Sequence, residues 1–126
     1  MIDRIDHFVL TVRSLEATLT FYEHVLGFAR EIEPGRPAAL KFGRQKINVH
    51  EVQRTFEPKA ASPTPGGGDF CLVTLRPLDE MVAHLARCGV AVELGPVARR
   101  GAAGPMMSVY FRDPDANLVE VARYDD

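Results

Sequence analysis

Two halves of this 126-residue chain repeat one another, in order and in wording. His7-Phe8-Val9-Leu10 parallels Asp69-Phe70-Cys71-Leu72, and Arg13-Ser14-Leu15-Glu16 parallels Arg76-Pro77-Leu78-Asp79. Further on, Val25-Leu26-Gly27-Phe28 parallels Cys88-Gly89-Val90, and Leu40-Lys41-Phe42-Gly43 parallels Val109-Tyr110-Phe111-Arg112. An internal duplication constrains the fold more than any local propensity, because both halves must bury the same faces.

Each half reads as strand, helix and three strands. Ile5–Val12 is β-prone, and Ser14 offers an N-cap to a helix whose Leu15, Leu19, Tyr22 and Leu26 recur at helical spacing before Gly27 stops it. Strands are predicted at Phe28–Ile32, Ala39–Phe42 and Ile47–Val52, with a Pro34-Gly35-Arg36-Pro37 turn after the first. A polar segment from Gln53 to Gly68, with Pro58, Pro63, Pro65 and three successive glycines, reads as a linker or lid. The pattern then restarts: a strand at Phe70–Leu75, and a helical stripe of Leu78, Met81, Val82, Leu85 and Cys88 closed by Gly89. A strand at Val90–Leu94, a glycine loop at Gly95–Gly104, and a hairpin of Met107–Phe111 with Leu118–Val121 complete it. The expected organisation is a single α+β domain of two tandem βαβββ modules, residues 1–52 and 69–126, joined by a linker at 53–68.

Composition narrows the function classes. A net charge of −2 and a pI near 6.1 leave no cationic field for nucleic acid or anionic lipid. The basic pair Arg99-Arg100 falls in the predicted glycine loop, where it could close over an anionic ligand. No apolar run approaches membrane-spanning length, and no signal peptide is read at the start, so the expected location is cytoplasmic. Cys71 and Cys88 sit in apolar patterns without CxxC spacing and read as buried thiols.

The duplication also aligns residues that carry chemistry. The first strand of each module opens with a ligand-type residue, His7 in one and Asp69 in the other. The last strands carry Asn48 and His50 in one module and Glu120 in the other. Strand alternation puts Glu120 opposite Val119 and Val121, and Asn48 and His50 opposite Ile47 and Val49. If the apolar faces meet the helices, the ligand types share the open faces. Blander roles exist: His7 as a structural histidine, Asp69 as a backbone cap ending the glycine run. A carboxylate between two valines is harder to place without a cation. Asp113-Pro114-Asp115 is a turn signal rather than chemistry.

Ile5-Asp6-His7, Phe21-Tyr22, Leu26-Gly27-Phe28, Asp113-Pro114-Asp115 and Leu118-Val119-Glu120 together resemble the vicinal-oxygen-chelate (glyoxalase/bleomycin-resistance/dioxygenase) superfamily over nearly the whole chain. Three stretches are similar to its glyoxalase-domain-containing protein 5 group: Asn48-Val49-His50-Glu51-Val52, Phe56-Glu57-Pro58-Lys59-Ala60-Ala61, and Met107 through Asp115. The resemblance implies a cup-shaped mixed sheet with helices outside, a homodimer, a small-molecule substrate, and a divalent metal (Mn, Ni, Zn, Fe or Mg) chelated from four strand positions. His7 and Glu120 match family ligands. Asp69 stands where many members have His, and Asn48 where glyoxalases have a carboxylate or amide, with His50 as an alternative ligand or substrate contact.

The function implied is a metal-dependent, lyase- or isomerase-like enzyme, with His7, Asp69, Glu120 and His50 as metal ligands and Glu120 moving the proton. Asn48, Ser108, Tyr110, Arg99 and Arg100 would contact substrate. The main alternative is a metal-free binding or resistance protein. A fosfomycin-resistance-type thiol transferase ranks below it, because Val9 and Asp69 replace that group's hydroxyl and second histidine. Extradiol dioxygenase chemistry ranks lower still, since only His7 matches its pair of histidines.

Overall fold

A computed structural model of the chain describes residues 1–125. The elements run β1 (His7–Val12), α1 (Leu15–Leu26), β2 (Ala29–Glu31), β3 (Ala38–Phe42) and β4 (Gln45–Glu51), then β5 (Asp69–Val73), α2 (Leu78–Arg87), β6 (Leu94–Gly101), β7 (Gly104–Arg112) and β8 (Leu118–Tyr124). The βαβββ order therefore occurs twice, as the repeated wording requires. The chain divides into two compact units, Met1–Gly67 and Gly68–Asp126. The class is α+β.

The first unit is a four-stranded sheet in the order β1-β4-β3-β2, with β1 parallel to β4 and the remaining pairs antiparallel. Helix α1 starts where Ser14, in extended conformation, accepts from Ala17 N at 3.2 Å. The Glu51 carboxylate at the end of β4 accepts the Leu15 N–H at 2.9 Å, so a second side chain caps the same helix. It ends at Gly27, whose φ of 71° is the left-handed conformation that costs other L-residues about 1–2 kcal/mol.

Register assigns the two faces. Phe8, Leu10 and Val12 share one face with Ile47, Val49 and Glu51, and with Ala38, Leu40 and Phe42. This is the α1 side. Glu51 caps the helix from it, and Arg30, on the same face of β2, bonds Glu23 and Glu16 of α1. Leu19, Tyr22 and Val25 of α1 are buried, and Tyr22, Phe28 and Phe42 form a continuous ring stack. The opposite face carries His7, Val9, Thr11, Lys46, Asn48, His50, Ala39 and Lys41.

The second unit repeats the topology as β5-β8-β7-β6, with β5 parallel to β8. Its apolar face joins Phe70 and Leu72 to Val119, Val121, Val109 and Phe111, and α2 packs on β7 with Met81 and Leu85 buried. The open face carries Asp69, Cys71 and Val73 with Leu118, Glu120 and Ala122, and Met106, Ser108 and Tyr110 from β7.

Several expectations need correction. Val90–Glu93 is not a strand, and Gly95–Gly101 is not a loop: it is most of β6, paired antiparallel to β7 across Gly101–Gly104. Arg99 and Arg100 therefore stand on a strand and point to opposite faces. Neither cysteine is a buried residue: Cys71 lies on the outer strand β5, and Cys88 is the exposed C-cap of α2. The hairpin parallel also slips by two. Since Val9 pairs with Asn48 and Cys71 with Glu120, the counterpart of Tyr110 is Ala39 rather than Lys41. A slip of two preserves the faces.

Candidate functional site

His7 opens β1 half-exposed, with Asp6 behind it. A carboxylate only accepts, so the contact of 2.8 Å is His7 Nδ1–H donating to Asp6 Oδ2. That fixes the neutral ring in the tautomer whose Nε2 carries a lone pair. The same hydrogen bond holds the Asp6 carboxyl below the usual carboxylate range. A histidine backed by a carboxylate is the usual preparation of an imidazole metal ligand.

Two and four residues beyond Lys46, the partner of His7, the same face carries Asn48 and His50. Asn48 Oδ1 and His50 Nδ1 are both buried without a hydrogen-bond partner among the described residues. His50 is 4% exposed, and the Phe56 ring covers it with centroids 5.5 Å apart. Burial, and then the nearby Lys59 ammonium, push its pKa down and keep the ring neutral. Near the other end of this sheet, Asp6, Glu31, Lys41, Arg44 and Lys46 line a polar hollow of about 290 Å³. Neither His7 nor His50 lines it.

In the second unit Glu120 is centred on the open face. Ser108, fully buried on β7, donates its hydroxyl to Glu120 Oε2 at 2.7 Å. Tyr110 lies directly opposite Glu120 in the β7–β8 register. Arg99 Nε donates to the Tyr110 hydroxyl at 2.9 Å, and its guanidinium lies 5.4 Å from that ring's centroid. With one lone pair of the phenol engaged, its own O–H is left to donate elsewhere. Asp69, exposed on β5, shares the face, and Arg112 bonds Glu93 through two parallel N–H···O contacts of 3.0 Å. Arg100 pairs with Pro105 on the other side of β6.

Sequence reading overlooked four partners. Cys71 is exposed as a residue, yet its thiol lies against Glu120. Burial there, together with the Glu120 charge and hydrogen bond, pushes it up to about 12, which makes it an inert thiol rather than a nucleophile. Its parity with Asp69, two residues earlier, was the available signal. Asp6 was visible as the neighbour of His7. The approach of Phe56 and Lys59 to His50 had no local signal.

Among the described residues, no three His, Cys, Asp or Glu side chains gather around one point. Each open face nevertheless offers donors that fit a divalent ion: an imidazole with its tautomer fixed, and a carboxylate braced by the Ser108 hydroxyl and the Cys71 thiol. The register makes Asn48, not His50, the counterpart of Glu120. The counterpart of the carboxylate is thus a neutral amide, a weaker donor for a cation.

The chain resembles proteins of known structure along its whole length. It is 48% identical to the virulence protein STM3117 of Salmonella typhimurium, over 98% of this chain and 86% of that protein. The crystal structure of that protein superposes with a TM-score of 0.97, covering 99% of both chains. The glyoxalase domain-containing protein RDO1 of Mycosarcoma maydis is 43% identical over 97% of this chain and 69% of that one. The lactoylglutathione lyase of Agrobacterium tumefaciens matches with a TM-score of 0.75 and 28% identity, over 98% of this chain and 95% of that one. Residues 4–121, running from before β1 into β8 and including every donor described above, match one family profile, and the chain belongs to the Glyoxalase/Bleomycin resistance protein/Dioxygenase superfamily.

Proposed function

We propose that the protein is a metal-dependent enzyme that rearranges or cleaves a small oxygenated substrate by proton transfer, with His7, Asp69 and Glu120 as the metal-holding residues. A divalent ion bound there supplies Lewis acidity that polarises a substrate oxygen. The observation that carries the reading is the preparation of the donors: Asp6 fixes the His7 tautomer, and Ser108 orients the Glu120 carboxylate. The Glu120 carboxylate is the proton acceptor. Tyr110, its hydroxyl oriented by Arg99, donates a hydrogen bond to the oxygen on which charge develops. The family also supports a homodimer as the working form.

Titration calorimetry with Mn²⁺, Ni²⁺ and Zn²⁺ tests the donor set. His7→Ala and Glu120→Gln each remove one of few ligands, so each is expected to weaken binding at least about 100-fold. Circular dichroism should show both folds intact. Unchanged affinity in both variants would sink the metal site. A second reading, a metal-free small-molecule binding protein, draws on one observation: the counterpart of Glu120 is the neutral Asn48. Wild-type protein that binds none of the three ions would favour it.

A further inference from the structure

Asn48, His50, Phe56 and Lys59 come from two sequence stretches separated by a turn at Val52-Gln53, and none of them is among the metal-holding residues His7, Asp69 and Glu120 proposed above. Inside the first unit His50 packs against the Phe56 ring and feels the Lys59 charge, and Asn48 lies two residues before it on the same strand face. Two polar atoms on the floor of this place, Asn48 Oδ1 and His50 Nδ1, are buried and unpartnered among the described residues. Leaving such atoms unpaired is costly, and buried polar groups in native proteins are nearly always satisfied. Leucine at position 48 would remove the cost, so the amide is explained by something that binds it.

We propose that Asn48 and His50 form the floor, and Phe56 and Lys59 the roof, of a subsite for the acid end of a short-chain hydroxy acid. The donors and acceptors select that class. Asn48 Oδ1 accepts only, so it requires an O–H or N–H from the ligand. His50, held neutral by its burial, places Nδ1–H toward an acceptor, which a carboxylate oxygen satisfies. Lys59 supplies the compensating charge. Its ammonium has three N–H donors, of which Thr55 Oγ1 takes one at 2.8 Å and Glu57 Oε1 lies 3.3 Å from the nitrogen. A third remains for the ligand. Asn48 and His50 are two residues apart on one strand face, about 7 Å between their Cα atoms. That spacing suits a hydroxyl separated from its carboxylate by one or two carbons. The apolar chain between them lies against Phe56, which is 37% exposed and has room to move aside.

The inference deepens the proposed function by naming the substrate's class. It rests on that reading only for turnover, because binding is measurable on the metal-free protein. The experiment titrates chelator-treated protein, with ¹⁵N-labelled histidine and asparagine side chains, with 3-hydroxybutyrate and with butyrate. The His50 ring nitrogens and the Asn48 amide should shift, with 3-hydroxybutyrate binding at least about fivefold tighter than butyrate, as one added hydrogen bond implies. Asn48→Leu should abolish that preference and, without ligand, raise the Tm by about 2–6 °C, since it removes a buried unpaired atom. Lys59→Met, on the surface, should weaken both acids about tenfold or more. No shift at His50 or Asn48 in a protein that binds Mn²⁺ overturns the subsite and leaves the metal chemistry standing. Shifts that persist in a protein binding no metal support the subsite and overturn that chemistry. A lower Tm in Asn48→Leu would mean that the amide has a structural partner, and would also overturn the subsite.

Discussion

His50 sits where an ionisable ring is poorly accommodated, and its titration should be visible in the stability of the whole fold. In the unfolded chain it takes up its proton near about pH 6.5. In the folded chain desolvation, and after it the Lys59 charge, hold its pKa below that value. Between the two values the unfolded state binds more protons, so stability rises with pH there. The contribution is complete above the unfolded pKa and is lost as pH falls from about 6.5 toward the lower folded value. Carboxylates act in a different window. Asp6, Glu16 and Glu93 are held low by their partners, so what they contribute is lost only below about pH 4. The Tm should therefore fall between pH 7 and pH 5, and His50→Leu should flatten that slope while leaving the acid limb below pH 4 in place. Thermal melts across this range check it, and equal slopes in both proteins would show that some other group titrates there.

At the scale of elements, the β7–β8 turn shows how a short sequence signal becomes a fixed geometry. Asp113 is buried, and its carboxylate accepts from Asp115 N at 2.9 Å, Asn117 N at 3.0 Å and Asn117 Nδ2 at 2.8 Å. Asn117 Oδ1 then accepts from Gly68 N at 2.7 Å, tying the turn to the residue before β5. This chain of bonds sets where β8 begins, and with it the position of Glu120 three residues after Asn117. Asp113→Ala would orphan two backbone N–H groups and the Asn117 amide, and should cost about 3 kcal/mol or more in denaturant unfolding. A loss below about 1 kcal/mol would mean water replaces the carboxylate. The turn was legible because Asp-Pro-Asp signals act within a few residues, as did Ser14 and Gly27 at the ends of α1. The strand β6 was not legible. Gly95, Pro96, Gly101 and Gly104 dominate its local wording, while what makes it a strand is pairing with β7, a partner that no short window contains. Cys71 misled for a related reason: apolar neighbours suggested burial, but β5 is an outer strand of its sheet, and parity places Cys71 on the open face beside Glu120. The shared face of Asn48 and His50, and that of Asp69 and Glu120, follow the alternation read from the sequence, because duplication and alternation are both global patterns. The slip of two between Lys41 and Ala39 arose because similar wording fixes parity more firmly than register.

At the scale of the whole molecule, the same duplication that makes the fold legible also leaves each unit with an outer parallel strand. β1 and β5 each end their sheet's strand order, and each carries apolar side chains in the open. Val9 on β1 and Val73 on β5 are 46% and 57% exposed, and Leu75, just past β5, is 90% exposed. Exposed apolar side chains on a sheet's outer strand are a template for association unless something covers them. A second copy of the chain is the cover that the proposed homodimer supplies. Light scattering after size exclusion should then give twice the 13.9 kDa chain mass at micromolar concentration. Val73→Lys combined with Leu75→Glu should move the mass toward the monomer, because charges at such positions are how isolated outer strands stay unpaired. The metal titration separates two consequences. If the variant becomes monomeric and binds Mn²⁺ as the wild type does, dimerisation only protects the strand edges. If affinity falls together with mass, the ligand set is completed only in the dimer. A wild-type mass of 13.9 kDa would reject the homodimer itself.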